Sequence, residues 1–313
     1  MDLPSEEALR WLVTRYAALR SAHGEAIGAP ALVQPTGDFF PDEFTHDGES
    51  VARLLARMTG YTPLADDLAV AVRFFEPDAS TGTSGGGCSS GGCSTDGGGA
   101  ARGLRNGVVE LDNGYVVEVD VADVRHPVLL TTSLARSVGA LVLAEAGEEV
   151  DVREAGAMRE VAAAVCGLGV LVVAGAYVYG KSCGGARVHQ GTTLSVEETA
   201  VLLSLFIRLH DIKAPAARTH LETTQREALD LALEWIDSNP AIVTGLRERP
   251  ELLAEGMFAV EPVRGLFGRL FTKRKGDPPM PTWKSTPRRV RTDEEQKRLE
   301  EARALVEEAL REQ

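Results

Sequence analysis

The sequence is poor in cysteine and in positive charge, has no internal repeat, and places no two of its six histidines at helical i, i+4 spacing. Four cysteines in 313 residues do not make a disulfide scaffold. With 33 Lys and Arg against 46 Asp and Glu, the formal net charge is −13. Phosphate neutralisation requires a basic face, so this balance argues against general nucleic-acid binding. The opening MDLPSEEALRWLVTRYAALR lacks the basic start, apolar centre and cleavage site of a signal peptide. What is present is ordinary globular material, 44% apolar and 25% charged, enough for one large domain or two modest ones.

Periodicity divides the chain. Residues 5–22 read as an amphipathic helix with Leu9, Leu12, Val13, Tyr16, Ala17 and Leu19 on its apolar face. A loop from Pro30 to Asp47 leads to a helix over Gly48–Gly60, with Val51, Leu54, Leu55 and Met58 at core spacing. Leu68–Phe75 is β-branched and aromatic enough for a strand. Residues 79–103 then collapse into Gly, Ser and Cys, too poor in apolar side chains to offset the entropy of ordering, and are expected to be a flexible insertion. VVELDNGYVVEVDV predicts a hairpin across Asn113-Gly114. Its second strand leads to Pro127, a good first-turn residue for the next helix. Further helices are expected at Val196–His210, behind a Ser195/Glu198 capping box, at Leu221–Asp237, stopped before Pro240, and at Pro250–Phe258. Residues 292–313 read as a last capped helix with Leu299, Ala302, Leu305, Val306 and Ala309 as its stripe.

Between Pro127 and Gly180 lie two apolar helical stretches in tandem, PVLLTTSLARSVGALVLAEAG and REAGAMREVAAAVCGLGVLVVAGAYVYG. Val161–Gly180 holds no charged residue and is about long enough to span a bilayer, but its small residues and its start directly after Glu160 favour a buried core element. These stretches, with QPTGDFFPDEF, SVARLLARMTGY, the hairpin and LSVEETAVLLSLFIRL, resemble a group of uncharacterised bacterial proteins related to zinc metallopeptidases of the zincin type. The resemblance covers roughly residues 34–210. It implies an α+β, mostly helical zincin-like domain over residues 1–262 with a small antiparallel sheet.

In such enzymes two histidines at i and i+4 hold zinc, the intervening glutamate is the general base, and a third ligand comes from the next helix. Here the histidine positions are Ser133 and Ser137, the base position is Leu134, and the third-ligand position is Glu160. Hydroxyls are poor zinc ligands and leucine takes no proton, so the resemblance implies a fold without its chemistry, no catalytic residue and no cofactor. Glu160 is either a solvent-exposed carboxylate at a helix start or a buried one, in which case Arg136 or Arg159 is the natural partner.

Other residues offer alternatives. Cys88, Cys93 and Cys183 with His189 make a weak Cys3His metal set, while Cys88 and Cys93 equally suit a labile disulfide or a plain loop. Gly175–Ser182 matches the G-x-x-x-x-G-K-S phosphate-loop pattern, which needs a strand before it and a helix at the Lys-Ser. Cys183 with His189 or His210, or Glu160 with Cys183 or a histidine, would make a divergent hydrolase. Residues 263–291 form a basic, Pro-containing linker. Arg264, Arg269, Lys273, Arg274, Lys275, Lys284, Arg288, Arg289 and Arg291 oppose only Asp277 there, leaving about −21 on the remainder. The linker either balances an acidic body or docks on a partner, with an acidic protein ahead of a membrane surface or nucleic acid. The expectation is a catalytically inactive, cytoplasmic scaffold or protein-interaction module.

Overall fold

The computed structural model describes residues 2–28, 30–76, 107–111, 113–182 and 185–263, all within one compact unit. The expected insertion at 79–103, the basic linker and the last helix lie outside the described residues.

Helix α1 (Glu6–Ile27) starts at Ser5, whose hydroxyl accepts from Ala8 N, and buries the apolar face read from the sequence. It runs past the expected end because Ile27 still finds core contacts. Helix α2 (Gly48–Thr59) is held by a reciprocal cap between Asp47 and Ser50 and buries Val51, Leu55 and Met58. Strands β1 (Val70–Phe75), β2 (Val108–Leu111) and β3 (Gly114–Asp120) form a sheet in the order β1-β3-β2. β2 and β3 are the antiparallel hairpin expected across Asn113-Gly114. β1, however, pairs parallel to β3, so the sheet is mixed rather than antiparallel. Tyr115, Val117 and Val119 alternate inward from β3 and pack in one core cluster with Leu130, Leu134, Val138 and Leu141 of α4 (Pro127–Glu145).

A short α3 (Val121–Val124) joins β3 to α4. The long apolar run that follows is not one helix. It divides into α5 (Ala155–Val165) and α6 (Gly169–Ala176), then turns into strands β4 (Val178–Ser182) and β5 (Gly185–His189). The break falls at Gly167, whose φ of +90° suits glycine and where a Cβ would sit 2.0 Å from the Ala31 carbonyl oxygen. Its own carbonyl accepts from Val33 N at 3.0 Å, so the passing 31–33 segment fixes the turn. Among the described residues one helix, α4, is long and apolar enough to cross a membrane. Within its most apolar window 67% of the residues are buried inside the fold, as in the core helix of a globular domain.

Helix α7 (Val196–Leu209) carries the capping box as expected, with Glu198 N donating to Ser195 Oγ at 3.2 Å and Ser195 N donating to Glu198 Oε2 at 2.8 Å. It is buried along most of its length, with α6, α9 (Thr223–Ser238) and α1 packed around it. Ser195→Ala removes one half of that cap and is expected to lower stability by about 1 kcal/mol, read from the urea midpoint. An unchanged midpoint would mean the cap is redundant. Pro240 does not merely stop α9. It is the first residue of α10 (Pro240–Glu248), just as Pro215 and Pro250 open α8 (Pro215–Arg218) and α11 (Pro250–Ala254).

Candidate functional site at the junction of α4 and α5

The two helices meet closely at Gly139, where a Cβ would lie 2.0 Å from the Arg159 carbonyl oxygen and 3.0 Å from Ala163 N. One turn before that contact is Arg136, and one residue after Arg159 is Glu160. Their side chains meet inside the protein, Arg136 Nε donating to Glu160 Oε1 at 2.8 Å with 3% and 0% of the side chains exposed. Glu160 is therefore the buried carboxylate, not the solvent-facing one. Of the two arginines named from sequence, Arg136 is bonded to it.

The carboxylate is used on both oxygens. Thr193 N donates to Oε1 at 2.6 Å and Leu194 N to Oε2 at 2.9 Å, while Arg136 Nη2 reaches Thr193 Oγ1 at 3.2 Å. Thr193 is pressed against the first turn of α5, where a Cβ on Gly156 would meet its Oγ1 at 2.4 Å. Three parts of the chain thus converge on one buried acid: α4, α5, and the turn that enters α7, which supplies two amides. Burial pushes the Glu160 carboxyl above the usual glutamate range, and Arg136 with the two amides holds it back. Burial and the neighbouring Arg136 charge lower Arg159, with Glu160 opposing them.

The positions where zincin chemistry would stand are occupied otherwise. Leu134 is fully buried and faces the sheet-side core. Ser137 spends its hydroxyl on the Ser133 carbonyl at 3.0 Å, an intrahelical bond. Glu160 presents its charge to a guanidinium. A zinc ion needs deprotonated or neutral lone-pair donors converging on one point. This set offers two hydroxyl side chains, a leucine and one carboxylate that already accepts three hydrogen bonds, and it does not fit that metal.

The remaining candidates separate in space. Cys88, Cys93 and Cys183 lie outside the described residues. His189 ends β5, opposite Val178. Cys166 is a buried free thiol, pushed up to about 12 by burial, and serves as a small core residue. His210 caps the far end of α7 from the Thr193–Leu194 turn. A helix of 14 residues is about 21 Å long, so His210 and Glu160 cannot share a reacting atom. Gly175 to Ser182 runs from the last turn of α6 through Tyr177 into β4, helix before strand, the reverse of a phosphate loop. A Cβ on Gly175 would lie 2.1 Å from Thr132 Oγ1, so that glycine serves packing of α6 on α4. Among the described residues no group of three or more His, Cys, Asp and Glu is placed to hold a metal ion.

The two backbone donors to Glu160 were not foreseen. The available signal was the Thr192-Thr193-Leu194 run before the α7 capping box, a tight entry whose amides need an acceptor. Set against family models, curated proteins and solved structures, the chain matches none.

Proposed function

We propose that this chain is a catalytically inactive, metallopeptidase-like protein that works in the cytoplasm as a scaffold or protein-interaction module. The observation that carries the reading is the buried Glu160 carboxylate, which already accepts three hydrogen bonds. A guanidinium and two amides already donate to its two oxygens, so a metal ion or a proton would have to compete with them. Interaction then belongs to the surface and to the basic residues of the linker, of which Lys273, Arg274 and Lys275 are the densest run. Nine cations there suit an acidic protein partner better than the strongly acidic remainder of the chain suits nucleic acid.

The purified full-length protein is expected to contain no stoichiometric zinc and to show no turnover of broad peptide and ester substrates. Either one zinc per chain, measured by elemental analysis, or turnover that follows the protein through purification and is lost in Glu160→Gln would overturn the inactive reading. Reversing Lys273, Arg274 and Lys275 to Glu in the full chain is expected to abolish capture of an acidic partner without moving the thermal midpoint. Retained capture would remove the linker from the proposal.

A further inference from the structure

After α11 comes a segment, residues 257–263, that is neither helix nor strand. α11 closes before it begins. Gly256 N donates to the Leu253 carbonyl and Met257 N to the Leu252 carbonyl, each at 2.9 Å, and Gly256 turns the chain at a φ of +77°. Phe258, Val260 and Val263 then pack, half-buried, on the core cluster shared by α1, α9 and α10. Ala259 and Pro262 between them are exposed.

Side chains hold the main chain of this segment. Arg10 Nη1 of α1 donates to the Phe258 carbonyl at 2.9 Å, and its guanidinium lies 5.6 Å from the centroid of the Phe258 ring. Asn239, at the junction of α9 and α10, is buried. Its Nδ2 donates to the Glu261 carbonyl at 3.0 Å, and its Oδ1 accepts from Glu261 N at 2.8 Å. Nδ2 also donates to the Trp235 carbonyl at 2.8 Å, which fixes the direction of the amide. A carboxamide carries donor and acceptor side by side. Here it offers residue 261 what a neighbouring antiparallel strand would offer, and only extended backbone turns N–H and C=O of one residue to the same side. The pairing reads main chain, so the apolar residues at 258, 260 and 263 are left to set what fits.

We propose that Arg10, Asn239 and the core surface under Phe258, Val260 and Val263 form a peptide-docking seat. Residues 257–263 fill it in cis, and an extended peptide of a partner protein, apolar at the positions of 258, 260 and 263, takes their place. The segment already seated states the chemistry of the occupant. Its apolar side chains are half-buried rather than locked in the core, so exchange leaves the helices intact. Fixed donors and acceptors that pair with extended backbone are a general means of taking peptides. The seat is separate from the Glu160 site and from the basic residues of the linker, and it stands whether or not the chain is inactive.

The test uses the full chain and a labelled synthetic peptide of residues 256–263, Gly-Met-Phe-Ala-Val-Glu-Pro-Val, followed by fluorescence anisotropy. In wild type the tethered segment competes at an effective concentration on the order of millimolar, so added peptide is expected to bind weakly. Phe258→Ser with Val260→Ser loosens the tethered copy and is expected to bind the peptide at least about tenfold more tightly than wild type. The same peptide N-methylated at Glu261 lacks the N–H that Asn239 Oδ1 accepts, and is expected to lose that gain. Should circular dichroism show that the double variant has lost its helices, Val260→Ser alone carries the same comparison. A folded variant that binds no more tightly than wild type, or that binds plain and methylated peptide alike, would overturn the seat.

Discussion

Arg136→Met is expected to cost about 3–5 kcal/mol of folding stability, the usual penalty for removing one partner of a buried ion pair. The reason is what stays behind. Glu160 is fully buried, and without the guanidinium its charge rests on two backbone amides alone. A natural domain has only about 5–15 kcal/mol in total, so the variant should lie near its unfolding threshold. Adding Glu160→Gln is expected to recover most but not all of the loss. Glutamine carries no charge, and its one carbonyl oxygen serves only one of the two amides, leaving the other to cost about 1–3 kcal/mol. The urea midpoints of the two single variants and the double variant make a closed cycle. A single-variant loss below about 1 kcal/mol would mean the junction tolerates water.

The pH dependence of Arg136→Met has a definite sign. Burial already pushes the Glu160 carboxyl up, and losing Arg136 removes the largest opposing influence. A carboxyl raised in the folded state favours folding below the ordinary glutamate value and loses that advantage as pH rises through the folded value. The deficit of R136M against wild type should therefore shrink as pH falls toward about 4 and widen toward neutrality. A deficit that is flat with pH would mean the carboxylate has found another partner.

Gly139→Ala is the second large effect, at about 3 kcal/mol, toward the upper end of the cost of forcing extra atoms into a packed interior. The added methyl meets the Arg159 carbonyl oxygen at 2.0 Å and Ala163 N at 3.0 Å, and backbone cannot rotate away as a side chain can. The helices must part, and the parting is felt first by Arg136 and Glu160, one turn along. Gly147→Ala is the control. It has a φ of +66° and nothing within 4 Å of its Cβ position, so only left-handed strain of about 1 kcal/mol applies. Equal losses at Gly139 and Gly147, by thermal or urea unfolding, would show that close approach is not what holds the two helices.

Local signals carried much of the fold. The Asn113-Gly114 hairpin, Pro127 at the start of α4 and the Ser195/Glu198 box are decided by neighbouring residues, and each stands where the sequence placed it. Three features were decided elsewhere. The α5–α6 break depends on residues 31–33 passing Gly167, which no periodicity within an apolar run discloses. The β4–β5 ribbon lay under a pattern that spelled a phosphate loop, and its strand character comes from pairing Val178 with His189. The α10 helix was hidden because a proline reads alike as the end of one helix and the start of the next. At the site, the choice between Arg136 and Arg159 could not be made from sequence, since it depends on how α4 and α5 pack. Packing at Gly139 makes the choice, because it sets which face of α4 looks at α5.

The parallel pairing of β1 with β3 also sets an order of assembly. Residues paired between β2 and β3 are three to nine positions apart, from Leu111 with Gly114 to Val108 with Val117. Val70 and Tyr115, and every β1–β3 pair after them, are separated by 45 positions. Loop-closure entropy grows with that separation, so the hairpin can zip on α4 before β1 has found its neighbour. β1 arrives last and, on the way out, leaves first. Transient opening of the native protein should therefore begin at residues 70–75, well before the helical core gives way.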